Sequence, residues 1–105
     1  MNVTEINDGN FKDVVNSYAK VVLDCYAPWC GPCTMLAPVI DELAAEEDQI
    51  KFCKINTEEN PDTAERFDVM SIPTVLVFEN GQLKNRVTGL KSKEELKSCF
   101  GSTAN

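Results

Sequence analysis

The sequence contains no histidine. That excludes a cysteine–histidine nucleophile pair, a serine–histidine–aspartate triad and any histidine-ligated metal site. No apolar run approaches the ~20 residues that a membrane-spanning helix needs. The opening residues, Met1-Asn2-Val3-Thr4-Glu5, lack both the basic flank and the apolar stretch of a secretory signal peptide. A cytoplasmic location is therefore expected, with no membrane partner. Positive charge is scarce: 10 Lys and Arg stand against 17 Asp and Glu, a net charge of −7. That balance disfavours nucleic acid or an anionic membrane as partner and reads as a solubilising surface. There is no linker, internal repeat or low-complexity segment. At 105 residues, one domain spanning the whole chain is expected, large enough for its own core.

Cysteine is present, but not as a disulfide framework. There are 5, an odd number, and only Cys30 and Cys33 lie close in sequence. That pattern points to a reducing compartment. A structural zinc site would need a second pair to match the first, and Cys25, Cys53 and Cys99 are scattered. No metal and no cofactor is expected.

The most informative segment is Trp29-Cys30-Gly31-Pro32-Cys33. Its two thiols are close enough to close a small disulfide ring. Gly31 lets the backbone bend tightly, and Pro32 suits the first position of a helix. An amphipathic segment follows at once, so the pair sits where a strand ends and a helix begins. The N–H groups of a helix start favour negative charge, here a thiolate.

The rest of the chain alternates strand and helix signals. Val3 to Ile6 is a short first strand. Asp8 is placed to cap a helix in which Phe11, Val14, Val15 and Tyr18 recur at helical spacing. Lys20 to Ala27 is nearly continuously apolar, as expected of a central strand buried on both faces. Pro32 to about Glu47 forms the second helix, with a kink predicted at Pro38. Ile50 to Ile55 is the third strand. Asn60-Pro61 starts a short third helix, with Asn as its cap. Thr74 to Phe78 and Leu83 to Thr88 flank Asn80-Gly81, a strong hairpin signal. Ser92 and Glu95 form a capping box for a last helix through Phe100. Gly101 ends it, and the tail beyond is expected to fray. The order βαβαβαββα implies an α/β fold. Three parallel strands and an antiparallel hairpin pair form one five-stranded mixed sheet, with helices on both faces.

With these residues in place, the chain resembles the thioredoxin family over essentially its whole length. Asp24, Trp29-Cys30-Gly31-Pro32-Cys33, Lys54, Ile72-Pro73-Thr74 and Gly89 stand in the family's order and approximate spacing. Three positions depart from it. Cys25 stands where a large aromatic is usual, Tyr26 where tryptophan is commoner, and Thr34 where lysine or arginine is usual. The resemblance implies a thioredoxin-like fold and a general protein-disulfide reductase. Its partners would be disulfide-containing protein substrates and a thioredoxin reductase that recharges it, and the protein would be a monomer. It also implies a cis Ile72-Pro73 bond beside the disulfide, and places the helix of Cys30 and Cys33 near Asp24.

Cys33 lies on the apolar stripe of Leu36, Ala37 and Ile40, whereas Cys30 precedes the helix beside a bend. Cys30 is thus expected to be the exposed attacking thiol and Cys33 the shielded resolving one. No charged group lies between them to stabilise the thiolate further, which favours a reductant over an oxidant. Asp24, a carboxylate in an apolar strand, is costly unless neutral, paired or hydrated. The resemblance gives it a role in exchanging the Cys33 proton, with Lys54 as electrostatic partner. Against these stand a satisfied structural Asp24 and a snorkelling Lys54. Pro73 opens a strand, and free backbone at Ile72 would pair with an extended substrate. Gly89 would admit a substrate chain closely or serve only a turn. Trp29, with Gly31 and Pro32, is assigned to the same substrate face, where Trp29 and Tyr26 form an apolar rim unless either packs in the core instead. Cys25 and Cys53 read as small hydrophobes. Cys99, on a stripe with Leu96 and Phe100, is the best candidate for a regulatory thiol. Besides a reductase, an oxidase or isomerase of the same fold and a redox-silent binding subunit remain open.

Overall fold

β1 (Val3–Ile6), α1 (Phe11–Ser17), β2 (Lys20–Tyr26), α2 (Gly31–Glu46), β3 (Lys51–Asn56), α3 (Pro61–Arg66), β4 (Thr74–Glu79), β5 (Gln82–Thr88) and α4 (Lys93–Cys99) follow one another in the expected order. The computed structural model describes residues 2–101. The strands form one sheet in the order β1-β3-β2-β4-β5. β3 runs parallel to both β1 and β2, while β4 is antiparallel to β2 and to β5. Among the described residues, no helix is long and apolar enough to cross a membrane.

β2 lies at the centre and is buried from Lys20 to Cys25, as its apolar run predicts. Its side chains alternate between two cores. On one face Val22 joins Phe52, Val75 and Val77 beneath Leu36, Ile40 and Leu43 of α2 and Leu96 of α4. On the other, Val21, Leu23 and Cys25 join Cys53, Ile55 and Phe78 beneath Phe11 and Val15 of α1. Phe67 completes that second core, its ring centroid 5.4 Å from Phe11 and 5.2 Å from Phe78. The hairpin turn has positive φ at both central residues, Asn80 (51°) and Gly81 (82°), the geometry that Asn-Gly favours. Ser92 and Glu95 form the full capping box. Gly101, with φ of 74°, follows α4; the fraying expected beyond it falls outside the described residues.

Several local expectations are corrected. Asp8 does not cap α1, whose N-cap is Asn10. Its carboxylate caps α3 instead, accepting from the Asp62 N–H (3.1 Å), the Thr63 N–H (2.9 Å) and the Thr63 hydroxyl (2.7 Å). Asn60 is the N-cap residue of α3, but its side chain accepts from the Asp8 N–H and donates to the Asn56 carbonyl. Tyr18 lies beyond the end of α1 and is exposed. α2 begins at Gly31, one residue before the expected start, and continues for 16 residues with Pro38 inside it. Gly31 is therefore helical and serves no sharp bend. Lys20 was legible only as the start of a strand. Its buried ammonium donates to the Phe100 carbonyl at the end of α4 (2.5 Å) and pairs with Glu79 (3.0 Å).

Candidate active site

The site forms where β2 ends and α2 begins. Cys30 is the N-cap of α2, and Pro32, which has no N–H to leave unpaired, occupies its first turn. Cys30 and Cys33 are joined as a disulfide with Cα atoms 5.2 Å apart. The Cys33 N–H donates to the Cys30 sulfur at 3.2 Å. A helix amide aimed at this sulfur favours negative charge on it.

The expected contrast in exposure is absent. Cys30 is 5% exposed and Cys33 4%. Ala27 forms one cluster with the two cysteines, Tyr26 and Ile72 lie against that cluster, and the Ile72 carbonyl oxygen is 3.9 Å from the Cys30 sulfur. The closed ring puts both cysteines under one cover, which spacing along the helix could not reveal. What separates them is polarity. The Cys30 sulfur meets a helix amide, while Cys33 borders a cavity of about 210 Å³ that it shares with Asp24, Tyr26, Ala37 and Lys54.

Asp24 is 4% exposed, and its Oδ1 has no hydrogen-bond partner among the described residues. Burial pushes its carboxyl up from 3.8 to about 7; the Lys54 charge opposes this, and Glu5 and Asp41 add to it. Lys54 is Asp24's register partner on β3 and is half-buried. The Tyr26 hydroxyl donates to both Glu5 carboxylate oxygens, at 2.8 and 2.9 Å. Burial, with Glu5 close by, raises that phenol to about 12.

Around the disulfide, Trp29 is 68% exposed, and its indole N–H donates to Glu58. The Ile72–Pro73 peptide bond is cis and immediately precedes β4. Gly89 donates its N–H to the Pro73 carbonyl at 2.8 Å. Its φ of +95° calls for glycine, and a side chain there would meet nothing within 4 Å, so conformation rather than crowding explains the residue. Cys25 and Cys53 are buried, which raises their thiols to about 12 and 11 respectively. Cys99 is free and half-buried, outside the core that holds Leu96 and Phe100.

Three surface features near these residues escaped the sequence reading. Glu58 holds Trp29, Glu5 holds Tyr26, and Met70, two residues before Ile72, is 91% exposed. Only Met70 left a signal, an apolar residue beside Ile72-Pro73. The two glutamates are assigned by contacts between distant segments.

A family model described as Thioredoxin matches residues 2–101. The chain is 45% identical over 98 residues to a thioredoxin of Synechocystis sp., covering 91% of this chain and 92% of the relative. Among solved structures, it resembles a mutant thioredoxin from Halobacterium salinarum with a TM-score of 0.85 and 34% identity, covering 91% of this chain and 85% of that one. Mitochondrial thioredoxin 3 of Saccharomyces cerevisiae, in its oxidized form, gives the same TM-score at 31% identity, with 91% of each chain covered.

Proposed function

The chain belongs to the thioredoxin family, and from that premise we propose how its site divides the work: Cys30 attacks, Cys33 resolves, and Asp24 takes the proton of Cys33. The protein is a thiol–disulfide oxidoreductase. It reduces protein disulfides through its Cys30–Cys33 pair and is recharged by a thioredoxin reductase.

In the reduced protein, the Cys30 thiolate attacks one sulfur of a substrate disulfide. A Cys30–substrate bond forms, the substrate's own S–S bond breaks, and one substrate thiolate leaves. Asp24 then takes the proton from the Cys33 thiol. The Cys33 thiolate attacks the Cys30 sulfur, the internal disulfide closes, and the second substrate sulfur departs and is protonated from water. Two electrons have passed to the substrate.

The single observation that carries this reading is the unpartnered Asp24 Oδ1 beside the cavity shared with Cys33. A buried carboxylate titrating near neutrality suits a group that must both accept and release a proton. Lys54 tempers that affinity. Trp29, Gly31, Pro32, Ile72, Pro73 and Gly89 form the substrate face, where an extended segment pairs with the Ile72 backbone just ahead of β4. Three unpaired cysteines suit a reducing compartment, so we assign the protein to the cytoplasm as a monomeric single domain. The test is single-turnover resolution of a mixed disulfide. Asp24→Asn should slow it about ten- to a hundredfold; an unchanged rate would remove Asp24 from the mechanism.

A further inference from the structure

Asp24 does not face Lys54 alone. β1, β3 and β2 are neighbours, and Glu5 pairs in register with Lys54, which pairs in register with Asp24. Directly paired residues project from the same face of a sheet, so acid, base and acid stand in one row across three strands. Glu5 is not a loose surface charge. Both of its carboxylate oxygens accept from the Tyr26 hydroxyl. Tyr26 stands two residues beyond Asp24 on β2 and therefore on the same face. The Lys54 ammonium lies 6.0 Å from the centre of the Tyr26 ring, and among the described residues it forms no direct ion pair with either carboxylate.

We propose that Glu5, anchored by the Tyr26 hydroxyl, is a positioning residue that keeps the Lys54 ammonium from being claimed by Asp24 and so sets how readily Asp24 takes the Cys33 proton. The inference rests on the relay reading of Asp24. A lysine standing in register between two acids, paired directly with neither, stabilises the Asp24 carboxylate less than a private partner would, and the Glu5 charge itself repels it. Other groups facing Asp24 are Cys33 and Asp41 from α2; β4 brings only Val75 opposite it. Glu5 thereby becomes part of the reductase chemistry from the far side of the Tyr26 ring.

The experiment reads Asp24 directly. The oxidised protein, labelled with ¹³C at aspartate carboxyl carbons, is titrated by NMR as wild type, Glu5→Gln, Glu5→Lys and Tyr26→Phe. Glu5 is exposed, so its two variants should leave the fold intact. Glu5→Gln should lower the Asp24 midpoint by about half a unit, Glu5→Lys by more, and Tyr26→Phe by less. High salt should shrink these differences, because Glu5 faces water. The acid limb of the pH profile for mixed-disulfide resolution should move with the midpoint. An Asp24 midpoint unmoved in both Glu5 variants would overturn the proposal while leaving the relay intact if Asp24→Asn is still slow. A full rate in Asp24→Asn would instead overturn the relay, whatever the titration shows.

Discussion

Asp24 and Cys25 are adjacent on the central strand, both buried, and opposite in consequence. Burial raises both, the carboxyl to about 7 and the thiol to about 12. Asp24 faces a cavity with Cys33 and Lys54, whereas Cys25 faces a closed apolar core beneath α1. Burial pushes the first group into the range where it exchanges protons in neutral water and the second out of it. Depth alone does not make a functional group. Its unperturbed proton affinity and its neighbours decide what burial does to it.

The strongest way to break this contrast is to act on what the Asp24 face serves. Cys30→Ser should abolish disulfide reduction, and Cys33→Ser should accumulate a mixed disulfide with substrate through Cys30, seen by non-reducing electrophoresis and peptide mass spectrometry. Equal trapping by both variants would remove the assigned order of attack.

Asp24→Asn is the next largest. The folded carboxyl titrates near 7 and the unfolded one near 3.8, so the wild-type fold is penalised as pH rises through that interval. The penalty levels off above the folded value. The variant should be more stable at pH 7 by about 1–3 kcal/mol, with the gap closing in acid. Urea midpoints across pH give the measurement, and a variant less stable at neutral pH would show that Asp24 supports the fold.

Cys25→Ala sharpens the other side. It should cost about 1–2 kcal/mol through a small cavity and leave the pH dependence of reduction unchanged. A shifted pH profile would mean that the two faces communicate. The smallest effect is spectroscopic. Trp29 is the sole tryptophan and precedes Cys30, so its emission should differ between oxidised and reduced protein. Identical spectra would argue against close contact with the disulfide.

What was legible in the sequence was carried by short-range chemistry. The β2 run, the Asn80-Gly81 turn and the Ser92–Glu95 box each depend on a few neighbouring residues. The Cys30–Cys33 pair was equally plain. The relations across strands were not. Alternation placed Asp24 on the same side as Tyr26, but only the β1-β3-β2 order brings Glu5 into the row with Lys54. The burial of Cys30 was hidden for the same reason. Its cover comes partly from Ile72, 42 residues away.

The cap that Asp8 supplies to α3 bears on the order in which the molecule assembles. α3 has only six residues, and its own N-cap side chain makes no capping bond. A helix that short is marginal in isolation. Its first turn is capped by a carboxylate from more than 50 residues upstream, in the loop between β1 and α1. α3 should therefore be a late acquisition in folding, and the first segment to open in the native state when that loop loosens. Exchange of the Asp62 and Thr63 amides with solvent would then serve as a gauge of order at the other end of the chain.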